Sequence, residues 1–157
     1  MGKGGKVDAR ELKEFEKHLR KSLSGTQLDL FIESCAKELA ARLLAKAIKR
    51  TPVGQYPSGS GKKGGTLRRG WTGGKGQGAT SYAGNLKVHH YGGVYVIEVV
   101  NPVEYASYVE FGHRTRGGKG WVKGKFMLSI SEEEVQRDAP KVLENKLKKK
   151  LGECFKL

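Results

Sequence analysis

Apolar residues recur every three to four positions across 12–23 and 28–47, alternate or run together across 86–100, and return to helical spacing beyond 130. The pattern predicts helices at both ends of the chain with β-structure between them. In the first helix Leu12, Phe15, Leu19 and Leu23 form the apolar stripe. Asp8 and Glu11 have the spacing of a reciprocal cap, Val7 and Leu12 that of a staple, and Gly25 is suited to end the helix in a left-handed conformation. A longer core helix is expected from Gln27 to Arg50, with Thr26 as cap and Asp29 in its first turn. Leu28, Ile32, Cys35, Leu39, Leu43 and Ala47 make its apolar line, and Phe31, Ala36, Ala40 and Leu44 widen it. Thr51-Pro52 stops it, because a residue before proline avoids helical geometry.

Asn85–Tyr91 and Val94–Val100 read as two strands joined by Gly92-Gly93, a hairpin signal, the second being apolar enough for a strand covered on both faces. The bounded, aromatic-rich stretch Val103–Gly112 is the segment around which the rest is arranged. As a strand it would put Tyr105, Ser107, Val109 and Phe111 on one face; as a helical turn it would stack Tyr105 on Val109. Periodicity does not choose. Trp121–Ile130 reads as a further strand. Ser131 and Glu134 then repeat the reciprocal cap, with Ile130 and Val135 as staple, at the start of a last helix reaching about Leu151. Val142 or Leu143, Leu147 and Leu151 line it, and Pro140 must kink or split it, with Asp138 recapping the second piece. The expected class is α+β: a small antiparallel sheet packed against a long helix, with N- and C-terminal helices and long glycine-rich basic loops.

Charge sharpens this picture. The net charge is +14, and residues 51–81 and 113–130 contribute +5 each without a single acid, while holding ten and four glycines respectively. Mobile loops are therefore expected at 53–81 and 113–120, interrupted by one ordered patch at Thr66–Trp71, beside a flexible tail at 1–6. Such loops attract nucleic acid, phosphate or an acidic protein surface. At 157 residues the chain is expected to form one domain. Cys35 and Cys154 are expected as buried free thiols, and neither a secretory signal nor a membrane span is expected.

Candidate chemistry is sparse. Gly59–Gly64 matches a dinucleotide-binding glycine pattern, but it neither leaves a buried strand nor enters a helix. His89 and His90 point to opposite faces of a strand and cannot chelate one metal, His18 is on the polar side of a helix, and His113 reads as a loop or interface residue. Glu104 reads as the start of a helical turn and Glu110 as the partner of a nearby arginine rather than as an acid–base pair. No enzyme activity, cofactor or metal is expected. Trp71 and Trp121 either stack bases of single-stranded nucleic acid or anchor loops to a neighbouring subunit.

Along residues 26–150 the chain resembles the neck or tail-completion proteins of long-tailed bacteriophages, the gene-product-ten family of HK-type lambdoid phages. Thr51-Pro52-Val53 and Gly65-Thr66-Leu67-Arg68 carry one pattern, split by an insertion. Tyr105-Ala106-Ser107-Tyr108-Val109-Glu110-Phe111-Gly112 carries a second and Phe126-Met127-Leu128 a third. The resemblance implies a structural virion protein, assembled in the bacterial cytoplasm, that forms a ring of six copies at the top of a tail, completes it and joins it to a head connector or collar. Its partners would be other copies of itself, the tail tube or adjacent tail proteins and the connector, with DNA passing through the channel without specific binding and no membrane. Tyr105, Tyr108 and Phe111 would pack on the long helix or an adjacent protomer. Trp71, Glu110, His113, Trp121 and Phe126 would join Arg68, Arg69, Arg114 and Arg116 at subunit or partner interfaces. A basic nucleic-acid-binding protein is the alternative, weakened by charge that lies in loops without a recognition helix.

Overall fold

The computed structural model describes residues 9–155. Six helices and two hairpins follow one another among them: α1 (Ala9–Ser22), α2 (Gly25–Arg50), α3 (Thr66–Gly70), α4 (Ala79–Gly84), β1 (Val88–Tyr91), β2 (Val94–Ile97), α5 (Ala106–Phe111), β3 (Gly112–Arg114), β4 (Trp121–Lys123) and α6 (Met127–Phe155). The class is α+β, as the pattern predicts. Contacts divide the chain into two units, one drawn from Met1–Cys35 with Pro140–Leu157 and the other comprising Ala36–Ala139.

In the second unit the core is made by Ala40, Leu44 and Ala47 of α2, Leu67 and Trp71 at α3, Ala83 of α4 and Met127 of α6. Ile97 and Val99 from the end of the first hairpin, and Ala106 and Val109 of α5, pack against it. The base of the hairpin therefore reaches the core, with Tyr91 opposite Val94 across Gly92-Gly93. Both strands are shorter than the apolar runs. Val94 and Val100 are exposed, so the second strand is not covered on both faces, since a two-stranded ribbon has only one face to offer the core.

The helix ends differ from expectation in instructive ways. Gly25 starts α2 rather than ending α1, and the backbone N–H of Leu28 donates to the Ser24 carbonyl (2.8 Å), so Thr26 falls inside the first turn and Asp29 beyond it. The Asp8–Glu11 cap and the side chains of Val7, Leu12 and Phe15 lie outside the described residues. The stretch 53–81 contains all of α3 and the start of α4, a helix the turn-like composition at 78–84 concealed. Beyond Val103 the choice that periodicity left open falls to helix, α5. His113–Gly120 is largely the bend of a second hairpin, with His113 opposite Val122. Only Trp121–Lys123 of the expected strand is one, and α6 begins at Met127, so Ser131 and Glu134 lie within it instead of capping it. The helix runs unbroken through Pro140 without being split.

In the first unit Cys154 is buried with its thiol donating to the Lys150 carbonyl (3.2 Å), and Cys35 is half-buried and in no disulfide. Leu28, Leu30 and Leu147 are exposed.

Candidate functional site

Thr51 closes α2 and gathers the first of the sequence patterns. Its hydroxyl donates to the Ala47 carbonyl (2.6 Å) and accepts the indole N–H of Trp71 (2.7 Å). Its carbonyl accepts both Nε (3.1 Å) and Nη2 (2.7 Å) of Arg68, the charged group meeting the negative end of the helix. Thr51 is fully buried and every polar group it has is used, so the Thr-Pro-Val and Leu-Arg elements are one structural lock. Asn101 adds to it, donating to the Leu67 carbonyl (2.8 Å) and packing against Gly70, where any Cβ would collide with the Asn101 amide oxygen.

Glu110 organises the second pattern. Its carboxylate accepts the backbone N–H of Leu128 (2.9 Å) and both the N–H (2.8 Å) and hydroxyl (2.7 Å) of Ser129. It thereby caps α6 from another element, and no arginine among the described residues pairs with it. The backbone returns the bond: Lys125 N–H donates to the Val109 carbonyl (2.7 Å) and Phe126 N–H to the Glu110 carbonyl (3.0 Å). Phe126 reaches this position with φ at 47°, uncommon for a residue with a side chain. Burial by itself would raise the Glu110 pKa, but the hydrogen bonds from Leu128 and Ser129 outweigh it and hold the carboxyl below its ordinary value. Glu134 is held low mainly by the hydrogen bond from Lys46 (2.8 Å), with Arg50 as its second partner.

With Ala106, Val109 and Glu110 turned inward, helical geometry turns Tyr108 and Phe111 out together, three residues apart. Tyr105, Tyr108, Phe111 and Trp121 are 44%, 59%, 61% and 62% exposed. None of Tyr105, Tyr108 and Phe111 is buried against the long helix, so packing within the protomer does not account for them. His113 sets its ring edge-on to Tyr108 (5.9 Å between centroids), and Val122 beside Trp121 is also exposed. The anticipated interface residues thus separate. Trp71 and Glu110 are 3% and 7% exposed and belong to the protomer's interior, and the Arg68 guanidinium is committed to Thr51. Arg69, Arg114 and Arg116 stand in solvent, although one Arg69 N–H reaches the Gly64 carbonyl (3.2 Å). Sequence reasoning missed Thr51 and Ser129, whose roles have no local signature because their partners are 20 and 19 residues away.

Residues 13–112 match the family described as "Bacteriophage HK97-gp10, putative tail-component". The chain belongs to this family. The match runs from α1 to the first residue of β3, and so includes both the Thr51 lock and the α5 aromatics. Membership in the HK97 gp10-like family gives the chain a structural part in a bacteriophage tail and a place in the virion. No curated protein and no solved structure matches it. Among the described residues no group of His, Cys, Asp and Glu is arranged to hold a metal, and no helix is long and apolar enough to cross a membrane.

Proposed function

We propose that this HK97 gp10-like protein forms a closed ring, six copies around the axis, at the top of a phage tail, completing the tail and presenting a docking face to the head connector or collar. The observation that carries the reading is the pair Tyr108 and Phe111, displayed side by side on a short helix that Glu110 fastens to α6. Large aromatics on an anchored frame are what subunit interfaces are built from, and their exposure is otherwise unaccounted for. A tail end is a cyclic surface, and head-to-tail contacts between identical chains satisfy themselves only by closing.

The exposed Arg69, Arg114 and Arg116 sit at the surface where an acidic neighbouring ring would meet them. A channel that must release DNA quickly is poorly served by strong phosphate contacts repeated around its axis, so these charges are assigned to protein partners. Incubating the protein with tail tubes and imaging the ends by electron microscopy tests the reading. Closed, axial rings are expected. A lone protomer bound off-axis, or tight salt-sensitive DNA binding with normal particle assembly when Arg69, Arg114 and Arg116 are neutralised, would overturn it.

A further inference from the structure

The β3–β4 ribbon has one edge that the protomer uses and one that it leaves open. The Thr115 N–H donates to the Gly120 carbonyl (2.9 Å), so this is a hydrogen-bonded pair, and by the alternation of an antiparallel ladder His113 and Val122 form the next. Gly112, Arg114, Trp121 and Lys123 therefore turn their backbone groups away from the midline of the ribbon. On the β3 side the Gly112 N–H donates to the Tyr108 carbonyl, and the Arg114 carbonyl lies 2.9 Å from His113 Nδ1. On the β4 side Trp121, Val122 and Lys123 are all exposed, and the outward N–H and carbonyl groups of Trp121 and Lys123 bond to no described residue.

Charge decides what fits this edge. Residues 112–131 hold Arg114, Arg116, Lys119, Lys123 and Lys125 and neither Asp nor Glu, and none of the five is ion-paired with a described residue. The register puts Arg114, Trp121 and Lys123 on one face of the ribbon. A second β4 edge would set Lys123 against like charge, in a chain of net charge +14, so this edge repels its own copies. Nucleic-acid phosphates are acidic but only accept hydrogen bonds, and would leave the outward carbonyls of Trp121 and Lys123 to water; an extended peptide supplies both donors and acceptors. We infer that the β4 edge takes an acidic, extended segment of another tail protein as a third strand. Its backbone would bond to Trp121 and Lys123, with its carboxylates on the face of Arg114 and Lys123. The inference rests on the reading that the exposed cations meet an acidic neighbour, and gives that contact its form.

Titrating the full chain with a synthetic peptide of alternating glutamate and threonine, followed by NMR, tests the pairing. Binding is expected, with amide exchange at Trp121 and Lys123 slowed roughly tenfold at saturation, and a lysine–threonine counterpart should not bind. N-methylation of the peptide separates strand addition from charge attraction, because it leaves every charge in place. Methyl groups on the glutamates, which would sit opposite Trp121 and Lys123 with their N–H groups toward the edge, should weaken binding roughly tenfold, and methyl groups on the threonines less than about twofold. Absence of binding, equal binding by the two methylated peptides, unslowed exchange at Trp121 and Lys123, or an oligothymidylate that displaces the peptide and protects the same amides would overturn the inference. Rings on tail tubes are scored separately: their absence would overturn the ring reading, whereas the peptide titration decides the strand contact.

Discussion

Ser129 gives two hydrogen bonds to one oxygen of Glu110, from its backbone N–H at 2.8 Å and its hydroxyl at 2.7 Å, across 19 residues of chain. The helix that carries the outward aromatics is thereby tied to the N-terminus of α6, where backbone N–H groups have no partner within the helix. Glu110→Gln replaces one acceptor oxygen by an amide that cannot accept, and is expected to cost about 1–3 kcal/mol in urea unfolding, with Ser129→Ala costing less. Equal stability of Glu110→Ala and wild type would remove the tie from the account.

The same carboxylate sets a pH dependence. Glu110 and Glu134 both have folded pKa values below their ordinary ones, so the folded state binds fewer protons than the unfolded chain in the acid range. Their contribution is complete above the ordinary carboxylate value and is lost as pH falls through the lower folded values. Unfolding midpoints are expected to fall with acidification in that window, and Glu110→Gln should flatten the dependence. An unchanged acid slope in that variant would assign the effect elsewhere.

Trp71 and Trp121 are the only tryptophans, one buried and hydrogen-bonded to Thr51, the other in solvent. Trp121→Phe should leave a blue-shifted emission resistant to iodide, and Trp71→Phe a red-shifted, quenchable one. Thr51→Val strands the Trp71 N–H without an acceptor and is expected to cost about 1–3 kcal/mol. Similar quenching of the two single-tryptophan proteins would contradict the buried lock.

Gly124 is buried where a Cβ would collide with the Glu110 carbonyl oxygen and the Phe111 backbone, neither of which can turn aside. Gly124→Ala should therefore destabilise by several kcal/mol, on the order of other overpacking changes, whereas Gly93→Ala meets nothing within 4 Å and should be near neutral. The comparison is made by thermal unfolding, and a neutral Gly124→Ala would mean that the α5–α6 junction is looser than described.

Phe111→Ser separates folding from assembly. Because Phe111 is 61% exposed, the change should shift stability by less than about 1 kcal/mol while abolishing assembly on tail tubes. Normal particles from this variant would exclude the aromatic face as a contact.

The extent of regular structure was legible where periodicity ran long. α2, the Gly92-Gly93 hairpin and the final helix follow from spacing, because an amphipathic pattern repeated over several turns leaves few alternatives. The likeness to phage tail proteins was legible as well, through short patterns that contain the lock and cap residues. Short elements were not. α4 and α5 are six residues each, too brief for period 2 and period 3.6 to diverge, and their conformation is settled by what Ala83, Val109 and Glu110 find when they turn inward.

The amino-acid sequence by itself determined the long helices, the hairpin turn, the segregation of positive charge and the family. Tertiary structure alone decided which residues of each pattern face in. Thr51, Trp71 and Glu110 went to the interior because buried polar groups need every partner satisfied, and the partners that satisfy them, Arg68 and Ser129 among them, come from other elements. Tyr108 and Phe111 went outward for the complementary reason: once Glu110 is committed to α6, the turn of the helix leaves them no other side.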